Sequence, residues 1–211
     1  EIPREESIRI NQWLTSSPLP QLLKFNDKDS YLLNYYAVCT EINEKVIGGR
    51  LVGKELTFET NSNYAFQNKI EKTFDVVGEH TFSLINTSDS YDGIYCPIIT
   101  ISATSDNVVI ENITDEKSVT LNMSNIIADE NGLKTIILNC ENMTITDMND
   151  KLVYASDLGW NVDYQSYVST TDSYITNIYW FRLLQGVNQI KITGDCTFKI
   201  KCEFPRKAGC C

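Results

Sequence analysis

Gly48-Gly-Arg-Leu-Val-Gly53-Lys54 satisfies the first seven positions of a phosphate-binding loop, in which glycine backbone wraps the phosphates and the lysine neutralises them. The next position should hold magnesium through a hydroxyl, and here it is Glu55. Leu56-Thr-Phe58 then continues as a strand pattern instead of the helix whose N-terminus would face the phosphates. The run reads as the glycine-rich start of a strand, and nucleotide binding is not expected. Glu55 and Glu59 share one face of that strand and are the kind of carboxylate pair a glycosidase sets across a sugar cleft. Outward carboxylates also arise simply from solubility, which is the reading preferred. His80 is the single histidine, which excludes multi-histidine zinc sites. As a base for a Ser or Cys nucleophile it has no Gly-x-Ser-x-Gly elbow beside it. Asp27-Lys-Asp29 and Asp147-Met-Asn-Asp150 carry carboxylates without EF-hand spacing and read as turns. Tyr164, Tyr167, Tyr174 and Tyr179 precede Trp180 and are suited to stack on a sugar or to bury in a partner interface, but no matched set of sugar-binding polar residues accompanies them. No catalytic, cofactor-binding or metal-ligating residue is assigned, and no cofactor is expected.

The chain has seven cysteines, an odd count, with no Cys-x-x-Cys pair suited to zinc or redox chemistry. Free thiols are expected in preference to a disulfide framework. Cys202 falls on the apolar side of its strand and is expected to be buried, whereas Cys210 and Cys211 at the tail are expected to react freely. Asn86, Asn112, Asn122 and Asn142 begin Asn-x-Ser/Thr triplets, read as coincidence in a chain this rich in Asn, Ser and Thr.

These residues belong to a chain of 211 residues, 42% hydrophobic, enough for one large or two small domains with real cores. No apolar run approaches the roughly 18 residues of a membrane span, and the start has no basic n-region or apolar h-region. A net charge of −10, without clusters of Lys and Arg interleaved with aromatics, argues against nucleic-acid binding.

Ile10, Trp13 and Leu14 fall at i, i+3 and i+4 behind Glu5 and Glu6, which predicts one short amphipathic helix. The rest alternates with period two. Residues 22–25, 31–41, 50–60, 72–77 and 81–86 form a first group of strands, and the polar stretch 86–93 is taken as a domain boundary before a second group. Three hairpins are expected there. A loop of Gly194, Asp195 and Cys196 would set Ile192 against Phe198 and Ile190 against Ile200. A loop over 114–117 would set Ile110 against Leu121 and Val108 against Met123. A third, over 147–150, would set Ile145 against Leu152 and Met143 against Tyr154. Short strands joined by polar turns, with no βαβ pattern, predict an all-β sandwich or jelly roll.

The run Trp180-Phe-Arg-Leu-Leu-Gln-Gly-Val-Asn188 with its two closing strands and Phe204-Pro-Arg206 resembles the C-terminal end of siphophage distal tail proteins. Ser7-Ile-Arg-Ile-Asn-Gln-Trp-Leu14, Arg50-Leu-Val-Gly53, Leu56-Thr-Phe58, Tyr95-Cys-Pro-Ile-Ile99 and Leu138-Asn-Cys-Glu-Asn142 extend the resemblance over nearly the whole chain. It implies two β-sandwich domains: a ring-forming domain over 1–90, whose first strands precede Glu1, and a galectin-like domain over 94–206. It further implies a non-enzymatic distal tail hub in the virion, assembled in the host cytoplasm. Its partners would be copies of itself in a six-fold ring, the tail tube and the receptor-binding apparatus. DNA would only pass through the lumen, and no membrane contact is implied. The alternative from a sandwich alone is a carbohydrate-binding module.

Overall fold

A computed structural model describes residues 1–26, 32–124, 126–153 and 180–207. Its backbone contacts divide it into two units, Glu1–Asn68 with Pro205–Cys211, and Lys69–Phe204. The boundary expected at 90–94 therefore moves upstream. Strands β5 (Ile70–Val76) and β6 (Glu79–Asn86) are laid down in the second unit because their hydrogen-bonding partners are its last strands, not their sequence neighbours upstream.

Unit 1 opens with helix α1 (Arg4–Leu14), introduced by Pro3, which pre-sets the backbone of the first turn, with Glu5 and Glu6 against the positive end of the helix. One sheet follows. Strand β1 (Gln21–Lys24) pairs the start of β2 (Leu33–Ile47), and β2 turns through Gly48-Gly49 into β3 (Arg50–Thr60) to make a long hairpin. The turn requires left-handed backbone at both glycines, φ 59° and 77°, which only glycine adopts without strain. Strand β4 (Ala65–Gln67) pairs β2, and β16 (Pro205–Arg206) returns from the far end of the chain to pair β4.

Unit 2 is a sandwich. After β5 and β6 come β7 (Ile94–Tyr95), β8 (Ile98–Ala103), β9 (Asn107–Asn112), β10 (Lys117–Asn122), β11 (Lys134–Asn139), β12 (Thr144–Asp147), β13 (Leu183–Leu184), β14 (Gly186–Thr193) and β15 (Cys196–Cys202). One sheet runs β10-β9-β14-β6 and the facing one β12-β11-β8-β15-β5, all antiparallel, with β13 and β7 as a separate small ladder. Ile190 and Ile192 of one sheet and Phe198 and Ile200 of the other enter a single core with Ile99, Ile101, Ile110, Leu121 and Phe181. The all-β fold with one short N-terminal helix is as the sequence predicts.

The pairing of β14 with β15 is not. Alternation identifies the inward face of a strand but not its neighbour, and each of these strands lies between two others: β14 between β9 and β6, β15 between β8 and β5. Gly194 and Asp195 form a corner that carries the chain from one sheet to the facing one. Three such corners meet. Gly194 donates its backbone N–H to Gly78 O at 2.8 Å, Gly78 donates to the Asp195 carboxylate at 2.8 Å, and Thr104 donates to Asp195 O at 3.2 Å. The other two hairpins form with altered registers. The β9–β10 loop occupies 113–116, so Ile110 faces Val119 and Val108 faces Leu121; a slip of two residues keeps every side chain on its face. The third shifts by one, pairing Thr146 with Leu152 and hydrogen-bonding Val153 to Ile145, because Asp150 takes left-handed backbone, φ 59°, and absorbs a residue into the turn. Its expected Met143–Tyr154 pair involves Tyr154, outside the described residues.

Candidate assembly surface

The two units differ in the size of the core they bury. Unit 2 encloses a large apolar core, although Tyr91 (98%), Ile127 (89%) and Val77 (85%) are exposed on it. In unit 1 the buried hydrophobic residues, among those described, are Ala37 and Ala65, while Trp13 (74%), Ile47 (70%), Leu19 (68%) and Val46 (57%) lie open to solvent together with Leu22, Val52 and Ile8. Each such side chain gains about 1.5–3 kcal/mol when covered, so exposing this many in a small sheet is costly unless something covers them.

The frame holding these residues is polar. Lys54, whose side chain is only 6% exposed, donates to Ser7 Oγ at 2.6 Å and lies 3.3 Å from Glu44, and Ser7 in turn donates to Glu44 at 2.8 Å. The Ser7 hydroxyl and the Lys54 ammonium hold the Glu44 carboxyl below its ordinary range. The triad pins α1 across the β2–β3 hairpin, so the lysine of the phosphate-loop-like run is spent on holding a helix. The glycines of that run make the hairpin turn. At the opposite end of α1, Trp13, Leu19 and Leu22 with Val38, Cys39 and Phe58 line a groove of about 350 Å³. Trp13, which shares the apolar stripe of α1 with Ile10 and Leu14, is 74% exposed beside it.

The other residues singled out by their chemistry do not converge. Glu55 pairs with Lys45 at 3.3 Å on the surface. Glu59 lies four positions on, roughly 13 Å along a strand, beyond either glycosidase spacing. His80 packs its ring 4.8 Å from Phe74 and 6.2 Å from Phe82 at the edge of the sandwich core, its Nε2 without a hydrogen-bond partner among the described residues. Asp147 accepts backbone N–H groups from Asn149 at 2.8 Å and Lys151 at 2.9 Å, which lower its pKa and make it a turn residue as expected. Among the described residues no cluster of His, Cys, Asp and Glu is arranged for a metal. No helix among them is long and apolar enough to cross a membrane. Asp27, Asp29, Tyr164, Tyr167, Tyr174, Tyr179, Cys210 and Cys211 lie outside the described residues.

Two of the four Asn triplets have a structural explanation that the sequence reading missed. Asn86 and Asn112 occupy the last inward positions of their strands and Asn188 the first of its own, and all three are buried. Asn112 donates to Arg182 O at 2.8 Å and to Asn188 Oδ1 at 3.1 Å; Asn188 accepts from Leu184 N–H and donates to Leu184 O; Asn86 donates to Leu183 O. Together they seal one end of the core against residues 182–184. Equally missed was the apolar hairpin tip. Its signal is Val46-Ile47 immediately before Gly48-Gly49, where a solvated turn normally carries polar flanks.

Residues 1–62 match a family described as the phage tail protein N-terminal domain, and residues 64–202 match one described as the phage tail C-terminal domain. The seam between them lies close to the boundary of the two units. No curated protein matches the chain. A solved structure with the same fold is SPP1 Dit (gp 19.1), described as a paradigm of the hub adsorption apparatus in phages infecting Gram-positive bacteria. The TM-score is 0.59 at 12% identity, over 95% of this chain and 71% of that one.

Proposed function

The chain belongs to the phage tail protein family whose two domain models span it, and from that premise we propose that it is the distal tail hub, a non-enzymatic component joining the tail tube to the adsorption apparatus. Unit 1 assembles copies of the chain into a ring, six-fold by analogy with the family it resembles. Unit 2, a galectin-like sandwich in this reading, projects to hold adsorption proteins. The protein would be built into the tail in the host cytoplasm, and an acidic chain suits a ring through which DNA passes without sticking. The observation that carries the reading is the small core of unit 1: among the described residues its buried hydrophobics are Ala37 and Ala65 while Trp13, Ile47, Leu19 and Val46 are exposed, as suits a subunit that packs against neighbours.

Antibody raised against unit 2 tests it on purified phage particles that carry the protein. Electron microscopy should show label at the distal end of the tail. Label elsewhere on the particle, or specific glycan binding by a soluble protein missing from particles, would favour the carbohydrate-binding module.

A further inference from the structure

Among the described residues β5 pairs only β15 and β6 pairs only β14, so each strand stands at the edge of its sheet with one row of backbone groups unpaired. The two edges lie on the same side of the sandwich, where the Phe74 ring of β5 packs 4.3 Å from the Phe82 ring of β6. An open edge of seven or eight residues is a template for another strand. The inward row of β5 is Ile70, Lys72, Phe74 and Val76, set opposite Cys202, Ile200, Phe198 and Cys196 of β15. Lys72 is the one charge in that row. Its ammonium crosses to the facing sheet, donates to Ser83 O at 3.2 Å and lies 5.9 Å from the centre of the Phe82 ring.

The direction of that carbonyl follows from the ladder. Ser83 stands opposite Gln189 of β14, and Gln189 directs both of its backbone groups away from β6: its O accepts Ile113 N–H at 2.9 Å and its N–H donates to Thr114 Oγ1 at 2.9 Å. Ser83 and Gln189 are therefore a non-hydrogen-bonded pair, and Ser83 turns its own N–H and C=O to the open edge. We infer that Lys72 guards this side of unit 2 against strand addition, so that copies of the sandwich do not join edge to edge. A strand arriving at β6 would have to displace the ammonium from Ser83 O, and one arriving at β5 would bring apolar side chains over a charge that must stay hydrated. Packing does not call for a lysine here, since Ile70, Phe74 and Val76 fill the same row with apolar side chains. This role lies within unit 2 and does not depend on how unit 1 meets its neighbours.

The experiment compares the full chain with Lys72→Leu, Lys72→Gln and Lys72→Arg. Each is checked for native circular dichroism and followed by light scattering over a range of concentrations, with hydrogen exchange read at 70–76 and 79–86. Removing a hydrogen bond to a charged group from the path of association should strengthen self-association roughly tenfold or more. Lys72→Leu should therefore form species larger than those of the wild type at equal concentration and gain amide protection within those two strands. Lys72→Arg keeps both the charge and the reach and should match the wild type. Lys72→Gln loses the charge and should fall between them, and it decides the matter if Lys72→Leu does not fold. A natively folded Lys72→Leu with the wild-type mass distribution would overturn the inference, as would Lys72→Gln with that distribution where Lys72→Leu is unfolded. Larger species whose new protection lies outside 70–76 and 79–86, or that form as readily with Lys72→Arg, would overturn it as well.

Discussion

Burial pushes the thiols of Cys202 and Cys140 up to about 12 and that of Cys196 up to about 11, so at neutral pH they stay protonated and are not the thiolates that attack an alkylating agent. Among the described residues of unit 1 the accessible thiol is Cys39, half-buried in the groove. Brief alkylation of the native protein followed by peptide mapping should modify Cys39 while sparing Cys202, and rapid native labelling at Cys202 would contradict its place in the core. Replacing Cys202 with Ser should cost roughly 1–3 kcal/mol, since the hydroxyl has no partner among Phe198, Ile200 and Phe204. The position of Cys202 was legible in the sequence, because Phe198, Ile200, Cys202 and Phe204 repeat with period two and a repeat of that kind needs no knowledge of the partner strand. Asn188 was illegible for a related reason: it continues an inward row of apolar residues, and only the loop carbonyl that returns to it explains a polar side chain there.

At the scale of elements, the limit of sequence reading is the corner between β14 and β15. A short link between two alternating strands reads as a hairpin, but the same link bridges facing sheets when each strand already has two partners, and that depends on β5, β6, β8 and β9, far away in sequence. Gly194 makes the corner possible. Its φ is 124°, and a Cβ there would stand 2.7 Å from Asn107 O, a backbone atom held in the β8–β9 corner. Gly194→Ala should therefore destabilise the sandwich by about 2 kcal/mol or more through backbone strain and collision together. Urea unfolding measures it, and an unchanged midpoint would contradict the three-corner arrangement. Gly48 and Gly49 also have positive φ, but with open space around them, so alanine there should strain the turn without a collision. Helix α1 was legible from its caps and period. Its spacing shows an apolar stripe but not what covers it, and Trp13 of that stripe is 74% exposed.

For the whole molecule, unit 2 holds the large core of the described residues, and unit 1 carries the exposed apolar side chains on which the proposed assembly rests. This division also relocates the independent domain. A fragment starting at residue 94 would lack β5 and β6, edge strands of both sheets, whereas 69–204 keeps each strand of the sandwich with its partners. The boundary was misplaced in the sequence because the turn-rich stretch 86–93 lies inside the sandwich, where Asn86 accepts Ser88 N–H and Ser90 donates to Ile94 O. Polar turns mark the ends of strands and say nothing of which sheet comes next. The most direct test of the account is the molar mass of the full-length gene product beside that of residues 69–204, both followed by light scattering during size exclusion over a range of concentrations. The account expects one discrete oligomer for the gene product and a folded monomer for the fragment; a gene product that is monomeric throughout, or a fragment that assembles as it does, would contradict it.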